Sequence, residues 1–208
     1  MPVRVICISH ATASGGEDVG RIVSERLGFR YADEEIVTAA ARRENLDQRD
    51  LEDVERRKSF ITRVLDELGK GSLAGAYPGM VVGPAPPLMD EELLRGLIQQ
   101  SVHDTATAGS IVIVAHAASI ALAGEPDVLR VLVTASPEVR ASRLGAAQGL
   151  DDKAAAKAIT DSDAGRASYM KKFYGIGREL PTHYDLVLST DVLSTQQVAD
   201  VVVHAATA

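Results

Sequence analysis

The sequence predicts an α/β fold in which a parallel sheet is covered by helices on both faces. Two observations carry this prediction: four short runs of β-branched and aliphatic residues, and amphipathic helical stripes between them. The runs are Val3 to Ile8, Ile111 to Val114, Val128 to Val133 and Leu186 to Leu188. Runs that are near-continuously apolar, rather than alternating, suggest strands buried on both faces. Strands separated by helices then require crossover connections, right-handed by the usual rule.

The first strand ends at Ser9 and passes through His10-Ala11-Thr12-Ala13-Ser14-Gly15-Gly16 into a helix that starts near Glu17. Val19, Ile22, Val23 and Leu27 lie on one face of that helix, and Gly28 stands where a C′ residue needs positive φ. Ile61, Val64, Leu65 and Leu68 form a second stripe, Leu94, Leu97, Ile98 and Val102 a third, and Val198, Val201, Val202 and Ala205 a fourth. Ser194 and Gln197 open the last as a capping box. Between the second and third stripes, Gly69 to Pro87 is rich in glycine and proline. A loop of that length is uncommon in a compact domain unless it covers a site or is disordered. It reads as a linker, a mobile substrate cover or an oligomer arm.

Composition bounds the function. A chain of 208 residues buries enough surface to fold without a staple, as one domain over 1–208. The single cysteine, Cys7, allows no internal disulfide. With no signal-peptide pattern at the N-terminus, a cytoplasmic location is expected. No apolar run approaches the roughly 20 residues of a membrane span, so no membrane partner is expected. A net charge of −7 repels a nucleic-acid backbone, which excludes nucleic-acid binding as the main task.

A strand, a small-residue turn and a helix aim backbone N–H groups and a helix N-terminus at an anion. Ser14, Gly15, Gly16, Glu17 and Asp18 are therefore candidates for a phosphate cradle. The usual phosphate loop reads G-x-x-x-x-G-K-[ST]. Counted back from Gly16, Ala11 takes the first glycine, Glu17 the lysine and Asp18 the hydroxyl. A unit charge about 4 Å from a phosphate oxygen matters by roughly 4 kcal/mol at an effective dielectric near 20. Glu17 must point away, share a cation with the ligand, or border a site that takes no triphosphate. Asp18 is a candidate magnesium ligand. The structural alternative is that Ser14 caps the helix while Glu17 and Asp18 favour its positive end.

Several blocks, in order, resemble the cytidylate kinase-like family of the phosphate-loop nucleoside monophosphate kinases. They are Ile8 to Gly20, Glu25 to Gly28, Tyr31 to Ile36, Ile111 to Ala117, Val128 to Val131, Ala135 to Arg140 and His183 to Thr190. The resemblance implies a P-loop NTPase-type three-layer sandwich with about five parallel strands. It also implies a helical substrate-binding insertion at about 38–108, together with the Gly/Pro-rich loop, and a basic lid at about 150–180. The implied reaction moves a phosphoryl group from ATP, with Mg2+, to a nucleoside monophosphate or another small acceptor. Such chemistry demands cations.

Arg140 and Arg143, three apart on the helix after the third run, share a face and are candidates to reach the cradle. Asp163, Arg166 and Tyr169 resemble the family's lid pattern, followed by Lys171 and Lys172. There Arg166 neutralises the transferring phosphate, Asp163 orients it and Tyr169 packs or hydrogen-bonds nearby. The alternative is a solvated helix with an Asp163–Arg166 ion pair. Asp33 matches an acidic position beside the acceptor, or simply caps the next helix. His116 stands in Ala115-His116-Ala117 where the family usually has Gly-Arg-Gly. It either replaces that arginine in part or is a hydrogen-bonded strand-end histidine.

A metal set of Cys7, His10 and His116 and a Ser14–His116–Asp33 hydrolase triad are weak readings, lacking four ligands and a G-x-S-x-G elbow respectively. The helices around Leu51 to Leu68 carry either a dimer face or a face that packs on the sheet. The functional alternative to the kinase is a catalytically degenerate protein of the same fold that binds a nucleotide or another anion.

Overall fold

The computed structural model describes residues 3–33, 99–100, 102–115 and 117–208. The stripes within 51–98, the loop 69–87, the dimer-face segment, most of the expected insertion and His116 lie outside the described residues.

The elements in chain order are β1 (Val5–His10), α1 (Gly16–Leu27), β2 (Arg30–Asp33), β3 (Ile111–Val114), α2 (Ala118–Ala121), β4 (Val128–Thr134), α3 (Pro137–Gln148), α4 (Asp152–Tyr174), a 3-10 turn (Pro181–His183), β5 (Leu186–Ser189) and α5 (Thr195–Thr207). Residues 102–107 are also helical. The five strands form one sheet in the order β2-β3-β1-β4-β5. All its pairings are parallel, with Cys7 opposite Ile113 on one side and Arg130 on the other. This is a P-loop NTPase-type α/β sandwich.

Alternate residues of the central strands fill two separate cores, which is why their runs are apolar nearly throughout. β5 departs from the expectation of burial on both faces: it is an edge strand, and Val187 is 41% exposed. Ile6, Ile8, Val112, Val114, Val131 and Val133 pack with Val19 and Val23 of α1 and Val198 and Val202 of α5. Val5, Cys7, Ile111 and Ile113 face the other way, onto Val102, Ala118 and Leu122. β2 is the strand that hydrophobic runs alone did not reveal. It lies at the sheet edge, and of its residues only Ala32 is fully buried, so its sequence carries no continuous apolar run.

α1 ends in a left-handed Gly28 (φ 64°), as its position after Leu27 predicts. α5 begins with the reciprocal Ser194–Gln197 capping box. Among the described residues no helix is long and apolar enough to cross a membrane.

Candidate functional site

In a parallel α/β sheet the usual ligand crevice lies beyond the carboxyl ends of the strands, and the β1–α1 loop sits there. Two of its residues are left-handed, Ala13 at φ 60° and Gly15 at φ 82°. Ser14 is fully buried, and its hydroxyl donates to the Val133 carbonyl at 3.1 Å. Ser14 therefore does not cap the helix. The cap is Gly15, with no side-chain hydrogen bond to the first turn.

The loop's carbonyls are tied into the protein. The His10 carbonyl accepts from Arg166 Nη1 at 3.1 Å, that of Ala13 from Arg143 Nη1 at 3.4 Å, and that of Ser14 from Thr190 Oγ1 at 2.8 Å. A trans peptide sets each carbonyl opposite the following N–H. With the Ser14 carbonyl turned to Thr190, the Gly15 N–H points to the other side. With the Gly15 carbonyl accepting from Val19 N at 3.0 Å, the Gly16 N–H points out of the helix start. The first-turn amides have no intrahelical acceptors. The result is a set of amides without intrahelical acceptors at the positive end of α1, suited to an anion. Gly16 is a steric necessity, since a Cβ there would lie 2.2 Å from His10 Cβ.

Glu17 and Asp18 are exposed on the first turn of α1. They share an acidic neighbourhood with Asp33 around Tyr31. The Tyr31 hydroxyl is pushed up first by burial, is lowered by Arg21, and is raised again by Asp33, Glu17 and Asp18. The Arg21 guanidinium lies 4.8 Å from the Tyr31 ring centre. Asp33 itself closes β2 and pairs in register with Val114, which places it at the same end of the sheet as the loop.

The three arginines take different positions. Arg140 is only 4% exposed. Its Nε donates to the Ala135 carbonyl at 3.0 Å, and its two Nη atoms meet the Asp163 carboxylate at 2.9 and 2.6 Å. Asp163 thus orients Arg140 of α3, rather than Arg166 three residues away on its own helix. Arg143 bridges the loop to the end of β5, donating from Nη1 to Thr190 Oγ1 at 2.8 Å and from Nη2 to the Thr190 carbonyl at 2.7 Å. Arg166 is gripped by Glu179, Nε to Oε2 at 2.8 Å and Nη2 to Oε1 at 2.7 Å. A second bond ties α4 to the loop, Thr12 Oγ1 to Ser162 Oγ at 2.6 Å.

Glu179, Tyr184 and Thr190 were not singled out as site residues from the sequence. Glu179 and Tyr184 lie in the irregular stretch around the 3-10 turn, where no periodicity marks a partner, and Thr190 carries no charge to draw attention. Tyr169 is buried in an apolar cluster with Ala117 and Met170, its ring centre 4.9 Å from that of Phe173. Lys171 and Lys172 are exposed.

Cys7 and His10 are an odd number of residues apart on β1, so their side chains leave opposite faces of the sheet. Burial also pushes the Cys7 thiol up to about 12, against the thiolate that a metal requires. Among the described residues no group of three or more His, Cys, Asp or Glu side chains converges on a metal position.

The cytidylate kinase-like family profile matches residues 5–192. The chain belongs to this family. The matched span includes the loop, Asp33, Arg140, Arg143, Arg166 and Thr190. Among curated relatives of this cytidylate kinase-like chain is a cytidylate kinase of Methanocorpusculum labreanum, 24% identical over 202 residues that cover 95% of this chain and 93% of the relative. Among solved structures, an uncharacterized protein of Eubacterium ventriosum superposes with a TM-score of 0.69 at 15% identity, covering 99% and 98% of the two chains. A shikimate kinase of Bacteroides thetaiotaomicron superposes with a TM-score of 0.52 at 14% identity, covering 97% of each chain. The solved structures support the kinase-type fold of this family member.

Proposed function

We propose that the protein is a phosphotransferase that moves the terminal phosphoryl group of ATP to a nucleoside monophosphate or another small acceptor. The observation that carries this reading is the β1–α1 loop, whose carbonyls are turned back onto Arg143, Arg166 and Thr190 while its amides open at the helix N-terminus. The family membership and the kinase-type fold support the same reading.

The residues present fit both groups that the reaction needs. The missing side chain of Gly16 makes room for His10 and not for ligand, and the N–H groups from Gly15 to Asp18 are the donors for a phosphate chain. Magnesium usually keeps most of its waters and takes one or two carboxylates along with phosphate oxygens. Asp18, exposed on the first turn, would supply such a carboxylate, with Glu17 beside it. The metal, when bound, neutralises charge on the phosphates. Arg166 holds its guanidinium at the base of the loop, oriented by Glu179. Arg143 fixes the loop's shape, and Arg140 with Asp163 locks α3 to α4. Asp33 and His116 are the proposed acceptor contacts, and Tyr169 packs the inner face of α4.

The test is an acceptor panel of nucleoside monophosphates and small hydroxylated or phosphorylated compounds, offered with ATP and magnesium and read by ADP release. ADP formation that depends on one acceptor class is expected. No turnover with any acceptor, combined with no rise in melting temperature on adding ATP, would overturn the reading. A rise in melting temperature without turnover would leave a nucleotide-binding protein.

A further inference from the structure

We propose that Tyr184 is a positioning residue for the β1–α1 loop, acting through Glu179 and Arg166 on the His10 carbonyl; that this loop meets phosphate rests on the phosphotransferase reading. The Tyr184 hydroxyl donates to Glu179 Oε1, a carboxylate oxygen that can only accept, and it receives a longer bond from Arg166 Nη2 at 3.4 Å. One hydroxyl thus touches both members of the ion pair.

Tyr184 is the fixed end of this chain of contacts. It is 6% exposed, and the backbone around it is anchored on both sides. Its own N–H donates to the Pro181 carbonyl at 3.1 Å, and the N–H of Asp185 donates to the Arg130 carbonyl of β4 at 2.8 Å. Glu179 has no comparable support. It lies outside any helix or strand, on a side chain with three rotatable bonds, so its carboxylate takes the orientation that its partners impose. The bonds from Arg166 Nε and Nη2 join carboxylate and guanidinium edge to edge, and such a pair on its own pivots as a unit. The buried hydroxyl removes that freedom.

The orientation reaches the loop because a guanidinium is planar and rigid. Nε and Nη2 face Glu179, while Nη1 donates to the His10 carbonyl at 3.1 Å. A rotation of the carboxylate therefore swings Nη1. The peptide that Nη1 holds is also gripped from its other side, where the Ala11 N–H donates to the Val133 carbonyl at 3.1 Å. These two bonds set the first peptide plane of the loop and with it the direction in which the chain leaves β1.

Tyr184→Phe keeps the buried ring and removes only the hydroxyl. The experiment titrates inorganic tripolyphosphate, and separately adenosine, into wild type, Tyr184→Phe, Arg166→Ala and the double variant at low ionic strength, where phosphate binding is strongest. Tyr184→Phe is expected to weaken tripolyphosphate about three- to tenfold, the worth of one hydrogen bond, and to leave adenosine unchanged. With Arg166 already removed, the same substitution should change tripolyphosphate affinity by less than about twofold. Equal factors in the two backgrounds overturn the proposal, as does wild-type affinity in Tyr184→Phe, and either result leaves the phosphotransferase reading standing. A wild-type protein that binds neither tripolyphosphate nor ATP overturns both. A measurement on the wild-type protein covers the case in which Tyr184→Phe fails to fold: coupling is reciprocal, so the Tyr184 ring NMR signals should shift with tripolyphosphate. Signals that ignore it overturn the proposal.

Discussion

Arg166 and Glu179 form a two-pronged ion pair whose guanidinium also donates from Nη1 to the His10 carbonyl at 3.1 Å, at the point where β1 becomes the loop. Tyr184 adds its hydroxyl to Glu179, and the pair's side chains are only 10% and 21% exposed. Five N–H groups on one rigid fork allow Arg166 to be held and still face a ligand.

Glu179→Ala is therefore expected to leave a poorly hydrated guanidinium without its partner and to cost about 2 kcal/mol in urea unfolding, somewhat less than a fully buried pair. Arg166→Ala is expected to lower phosphoryl transfer by more than about tenfold, about 1.4 kcal/mol of barrier. Turnover that survives Arg166→Ala unchanged would remove this arginine from the chemistry.

Thr190 is 2% exposed, and its hydroxyl serves Ser14 and Arg143 at once, each at 2.8 Å. Thr190→Val keeps the shape and deletes both bonds, leaving a buried carbonyl unpaired. The expected loss is about 1–3 kcal/mol by denaturant unfolding, with weaker ATP binding, and Thr190→Ser should restore both.

Gly16→Ala tests the closeness of the His10 side chain. A methyl group placed 2.2 Å from His10 Cβ forces the strand end or the helix start to move. A loss of about 1–3 kcal/mol is expected, as for overpacking elsewhere. An unchanged melting temperature would mean that His10 swings aside at no cost.

Glu17 is exposed on the first turn of α1. Glu17→Lys is expected to tighten ATP about three- to tenfold by calorimetry, in line with a charge change near a helix N-terminus. No change in affinity would place the side chain out of reach of the phosphates.

Asp185 gives a pH signature away from the site. A hydrogen bond from the Arg130 side chain, together with the Arg130 backbone N–H and charge, holds its carboxyl below the ordinary range against the effect of burial. A carboxyl lowered on folding stabilises the native state above the unfolded value, near 4, and the contribution disappears as pH falls through the folded value. Asp185→Asn should therefore be less stable than wild type at pH 7 and converge with it in acid. Parallel stability profiles would count against the assignment.

The central sheet was legible in the sequence because its strands are apolar on both faces, as Ile6 and Cys7 illustrate by entering different cores. The edge strand β2 was not, since half-exposed residues such as Tyr31 and Asp33 carry no such pattern. The loop could be read as a candidate cradle from its small residues, but its alignment could not. The left-handed helix cap falls on Gly15, one residue before the Gly16 from which the sequence count runs. Spacing along α4 suggested an Asp163–Arg166 partnership. Packing of α3 against α4 gave Asp163 to Arg140, and Glu179, 13 residues beyond Arg166, took its place. Tertiary partners of charged residues are set by which helices meet, and local spacing does not encode that.

The hydroxyl that fixes the Ser14 carbonyl comes from Thr190, 176 residues further along the polypeptide. During synthesis the glycine turn emerges from the ribosome long before the segment that shapes it. A nascent chain halted before β5 therefore lacks the bond that turns the Ser14 carbonyl aside, however well its first strand and helix have formed. Nucleotide capture by ribosome-bound intermediates of increasing length should begin only after the last strand has cleared the exit tunnel.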